Sequence, residues 1–72
     1  MIDERKAKAI TRKFLEQYHS TITIESVSLE NGIWRVLACV GLINKQIKEI
    51  SINYSGKIVG SEDKELTKRI IQ

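Results

Sequence analysis

Apolar positions change their spacing along this chain, and each change of period marks a new element. Over residues 3–18, Ala7, Ile10, Phe14 and Tyr18 recur at intervals of three and four. At 100° per residue this makes a single stripe, with Thr11 and Leu15 on its margin. Arg5, Lys8, Arg12 and Glu16 fall opposite, flanked by Lys6 and Lys13. Asp3 is placed to cap free backbone N–H groups, and Ile2 to staple against Ala7. The pattern predicts an amphipathic helix ending near His19-Ser20.

Residues 21–29 shift to an alternating, β-branched pattern that predicts a strand. Its parity breaks midway: Ile22 and Ile24 share one phase, Val27 and Leu29 the other. A β-bulge near Glu25 or Ser26 brings all four to the core; a regular strand turns Ile22 and Ile24 outward or toward a partner. Both readings stay open at this stage. Asn31-Gly32 readily takes positive φ at both residues, the requirement of a two-residue type I′ hairpin. That turn pairs Glu30 with Ile33 and Leu29 with Trp34.

The second strand sets Trp34, Val36, Ala38, Val40 and Leu42 on one face. Arg35, Leu37, Cys39, Gly41 and Ile43 alternate on the other. A three-residue turn at Asn44-Lys45-Gln46 opposes Val40 with Ile50, Ala38 with Ile52 and Val36 with Tyr54, which aligns the apolar faces. Glu49, Ser51 and Asn53 then occupy the reverse face. Ser55-Gly56 signals another turn, and Lys57-Ile58-Val59 a short extension or edge segment. Ser61 is placed to cap a short helix reaching roughly Ile70, with Glu62, Asp63 and Glu65 near its positive end and Leu66 and Ile70 one turn apart. The expected fold class is α+β: an N-terminal amphipathic helix packed on a three-stranded antiparallel β-meander. A short fourth strand segment and a C-terminal helix complete the expectation.

Composition narrows the picture without redirecting it. Seventy-two residues, 42% hydrophobic, allow one small domain with a modest core. The net charge of +3 is a weak bias, well short of the dense basic face of a dedicated nucleic-acid binder. The nearly apolar run at 36–43 is far shorter than the ~20 residues of a spanning helix, and no signal-like stretch follows the charged N-terminus. These features lead us to expect no membrane insertion and a cytoplasmic location.

The pattern resembles small helix-plus-meander modules of the PepSY type. The resemblance rests on a helix, on Trp34-Arg35-Val36 at a strand entry, and on the close from Ile50 through Asn53, Tyr54, Ser55 and Gly56 to Ile58-Val59. Asn53 stands where that family commonly has Asp. The resemblance implies a small interaction or inhibitory module and carries over no catalytic residue.

Candidate chemistry is sparse. His19 is the sole histidine and has no identifiable partner for general-base work. Cys39 is the sole cysteine, so no disulfide forms within the chain and no conventional zinc cage is available. Glu62, Asp63 and Glu65 lack EF-hand spacing, and the four glycines are too dispersed to cradle a phosphate. We therefore expect no enzyme activity, metal or cofactor. Two binding surfaces remain. An apolar set at Leu37, Ile43 and Ile47, joined by Ile22 and Ile24 if strand one is regular, suits self-association or another protein. Alternatively Arg5, Lys6, Lys8, Arg12 and Lys13 on the helix supply phosphate contacts to a nucleic acid.

Overall fold

A computed structural model of the chain describes residues 2–64. Helix α1 (Glu4–Leu15) starts where the sequence places it, because the Asp3 carboxylate accepts a 2.8 Å hydrogen bond from the Lys6 backbone N–H. It ends earlier than the periodicity implies. Glu16 closes it, and the backbone N–H groups of Tyr18 and His19 both turn back to the Leu15 carbonyl. Tyr18 therefore leaves the expected apolar stripe and is two-thirds exposed, stacking edge-on against Phe14 with ring centroids 5.7 Å apart. The buried stripe is Ala7, Thr11 and Leu15, and Ile10 and Phe14 flank it. Its centre lies rotated from the expected one, toward the residues first placed on the margin.

Four antiparallel strands follow in the order β1 (Ile22–Glu30), β2 (Ile33–Val40), β3 (Gln46–Asn53) and β4 (Ile58–Lys64). The parity break in β1 is a bulge. Ile24 pairs with Ala38 and Ser26 with Leu37, which leaves Glu25 as the extra residue. Ile22, Ile24 and Val27 consequently all pack against the core. This removes Ile22 and Ile24 from the candidate outer surface, since the bulge restores their parity to that of Val27. The Asn31-Gly32 hairpin has φ of 51° and 77° and the expected pairs Glu30–Ile33 and Leu29–Trp34.

The second hairpin differs from expectation. Val36 pairs with Ile50 and Trp34 with Ile52, while Val40 meets Gln46 across a loop at 41–45. The displacement is even, so every side chain keeps its face while changing its partner. Apolar patterning cannot distinguish such registers. Gly41 fixes the outcome: its N–H is donated to Thr21 O, and a Cβ there would stand 2.8 Å from the Asn44 carbonyl oxygen at a φ of +96°. Leu42 thereby leaves the strand and becomes 73% exposed. Tyr54, expected opposite Val36, lies beyond β3 and is exposed as well.

The β3–β4 turn is organised by Asn53, whose Oδ1 accepts from the backbone N–H of Ser55 and of Lys57 at 3.0 and 2.9 Å. Ile2 N–H is donated to Tyr54 O, tying the N-terminus to this turn. β4 is a full strand with its own bulge: Ser51 pairs with Gly60 and Ile52 with Ile58, leaving Val59 over. Ser61, expected to cap a helix, instead pairs with Ile50, and the strand continues to Lys64. Asp63 and Lys64 find ionic partners on β3 in Lys48 and Glu49, which offsets the helix signal of the local acids. The remainder of the expected C-terminal helix lies outside the described residues. The core is Val36, Ala38, Val40, Ile50 and Ile52 beneath Ala7 and Leu15, with Trp34 and Ile58 packed at its margin.

Candidate protein-interaction face

One helix on a four-stranded sheet covers one face. Among the described residues, nothing covers the other. Alternation along the strands assigns the residues of that outer face, and cross-strand register arranges them in rows. Thr23, Cys39, Ile47 and Lys64 form the first row; Ser26, Leu37, Glu49 and Glu62 the second. Ser28, Arg35, Ser51 and Gly60 form the third, and Glu30, Ile33 and Asn53 the fourth. Leu37, Cys39 and Ile47 thus make one contiguous apolar cluster, with Ile33 two rows away. All four are partly exposed.

Charged groups frame this cluster as a chain across the strands. Arg35 Nε lies 3.1 Å from Glu30 Oε1, though not at a hydrogen-bonding angle, and its Nη1 lies 3.6 Å from Glu49 Oε2. Lys64 Nζ lies 3.3 Å from Glu49 Oε1 and 3.4 Å from Glu62 Oε1. Glu49 is the hub, its side chain 13% exposed. Burial raises its carboxyl pKa, but the hydrogen bond and charge of Lys64, with the charge of Arg35, outweigh this and hold it below the ordinary range. Lys64 is raised in return, by its hydrogen bonds to Glu49 and Glu62. The signs alternate, so this face has little net potential.

Of the apolar residues singled out from sequence, Leu37 and Ile47 sit together here. Ile43 stands apart on the loop, 87% exposed beside Leu42. Ile22 and Ile24 are on the opposite, core-facing side. Ile33 and the ionic chain were not singled out. Alternation alone places Ile33 on the same face as Leu37, but the ionic chain requires the β3–β4 register.

The five helix cations, Arg5, Lys6, Lys8, Arg12 and Lys13, are all exposed. They do not form one field: Lys8 pairs with Glu4 at 3.4 Å, and Arg12 donates to the Ile22 carbonyl at 3.3 Å. His19 lines a depression of about 280 Å³ with Phe14, Leu15, Tyr18, Lys48 and Ser61, where the Lys48 ammonium is bonded to Asp63. No group of three or more metal-ligating side chains occurs among the described residues, and no described helix is long and apolar enough to cross a membrane. Comparisons with family models, curated proteins and solved structures return no match.

Proposed function

We propose that this chain is a non-catalytic protein-interaction module that binds through the outer face of its sheet. The observation that carries the reading is the Leu37–Cys39–Ile47 cluster, uncovered among the described residues and bordered by an ionic chain of three acids and two bases. Antiparallel sheets tolerate one solvated face, but such a face is ordinarily polar. Here three apolar side chains adjoin at one end of the face, and the charged groups bordering them are paired with one another. The strand edges are poorer docking sites. β1 is bulged at Glu25, and β4 is bulged at Val59 and ends on three charged residues, features that blunt edge pairing. The resemblance to PepSY-type modules points the same way, and the free thiol of Cys39 suits a reducing compartment such as the cytoplasm.

A second reading, phosphate contact by the helix cations, draws on their exposure. It is weakened by the Glu4–Lys8 pair and by Glu16 among them. Photo-crosslinking separates the two. A benzophenone amino acid at Leu37 gives protein crosslinks in cell extract, whereas the same group at Lys13 gives none. Crosslinking at Lys13 to nucleic acid, with none at Leu37, would reverse the assignment.

A further inference from the structure

We propose that the depression between the end of α1 and strands β3 and β4 binds a small aromatic carboxylate. It lies on the helix side of the sheet, so it stands independently of the outer-face reading. The helix stops short of this corner. α1 rests on β1 and β2, and after Leu15 the chain turns back through Tyr18 and His19 toward the start of β1. The helix side of β3 and β4 is left open there. Register places two polar residues in the gap: Lys48, between Ala38 and Asp63, and Ser61, beside Ile50. On β3 the same face carries Ile50 and Ile52, both fully buried. A lysine in this line is held against the core, and its side chain is only 19% exposed.

Lys48 and Ser61 line a depression of about 280 Å³ with Phe14, Leu15, Tyr18 and His19. The lining is rich in donors. An ammonium has three N–H donors and no acceptor. Asp63 accepts one of them from Lys48 and is not itself part of the lining. Ser61 and Tyr18 add hydroxyls and His19 an imidazole, and no carboxylate lines the depression. An anion is the head group these donors suit, because bonds from an ammonium to an anion are stronger than neutral ones. The C-terminal end of a helix opposes an anion. Here, however, the Leu15 carbonyl already accepts from the Tyr18 and His19 N–H groups, and Lys48 brings a full charge against the helix's partial one.

The body of the ligand follows from the wall and the space. Phe14 and Tyr18 meet edge to face with centroids 5.7 Å apart, and Tyr18 is two-thirds exposed. A flat ring laid against them removes apolar surface from water and adds aromatic contact. A volume of about 280 Å³ falls just under the ~300 Å³ at which drug-sized sites begin, which limits the ligand to one ring and its carboxylate.

The test is a titration of the ¹⁵N-labelled full chain with sodium benzoate at constant ionic strength, read by amide chemical shifts. The expected result is saturable shifts centred on Tyr18, His19, Lys48 and Ser61, with Kd on the order of 1 mM, the strength so small a ligand allows. Benzamide, which keeps the shape without the charge, and acetate, which keeps the charge without the ring, each bind at least about fivefold more weakly. Lys48→Met keeps the apolar stem, and Ser61→Ala changes an exposed position. Each variant, with fold checked by circular dichroism, weakens benzoate at least about threefold. If Lys48→Met fails to fold, Ser61→Ala decides alone. No saturation up to about 20 mM, some twentyfold above the expected Kd, overturns the inference. So do equal binding of benzoate and either analogue, an unchanged Kd in the folded variants, or shifts centred on the helix cations Arg5, Lys6 and Lys8.

Discussion

Asn53 organises the β3–β4 turn. Its Oδ1 takes two backbone N–H groups of the β3–β4 turn, and its own N–H and carbonyl bond to Lys57 and Gly56. Asn53→Ala forfeits both side-chain bonds and is expected to cost about 1–2 kcal/mol. Asn53→Asp keeps an acceptor at the same place and should cost much less. Thermal melts of the two variants check this; equal losses would remove the turn role. Glycine matters at two points, one at each end of the sheet. Gly56 at φ +91° faces Ile2 and Ile10, and Gly41 abuts the Asn44 carbonyl. Sequence identified Gly56 through its turn signal. It read Gly41 as an ordinary strand position, because its need for positive φ arises from a loop whose length the apolar pattern leaves undetermined.

Elements were legible in proportion to how locally they are specified. The helix start, the Asn31-Gly32 hairpin and the facing of β2 and β3 follow from capping, turn chemistry and period two. The helix end, the β2–β3 partners and β4 do not, since a local turn back to the Leu15 carbonyl that the apolar period does not record, an even register shift and cross-sheet ion pairs decide them. The bulge at Glu25 is intermediate: the parity break announces it, and only packing against Ala38 and Val36 resolves it. It also decides what the outer face contains, because without it Ile22 and Ile24 would join that face and abandon the core. Deleting Glu25 should therefore destabilise the domain by roughly 3 kcal/mol, through loss of two part-buried isoleucines. In a domain this small that leaves little folded population. Circular dichroism melts measure it, and an unchanged midpoint would mean that β1 holds its phase by other means.

At the scale of the whole molecule, the helix and the inner sheet face satisfy each other, and among the described residues the outer face is left with an apolar cluster and an ionic chain across its strands. That chain links stability to pH. Glu49 is lowered in the folded state, so its contribution is complete above the ordinary value of 4.5 and is lost as pH falls through the lower folded value. Lys64 is raised, so its contribution is present below 10.5 and is lost as pH rises through the higher folded value. Urea midpoints should fall on acidification below about pH 4.5, and Glu49→Gln should flatten that acid limb. An identical acid limb in the variant would deny Glu49 its place as hub.

The central question is whether the outer sheet face is a protein contact, and Leu37 belongs to its apolar cluster. Photo-crosslinking in cell extract from a benzophenone amino acid at Leu37, compared with the same group at Lys13 on the helix and with both chains confirmed folded, asks this most directly. The expected result is protein crosslinks from Leu37 and none from Lys13. No protein crosslink from Leu37, or equal yields from both positions, would contradict it.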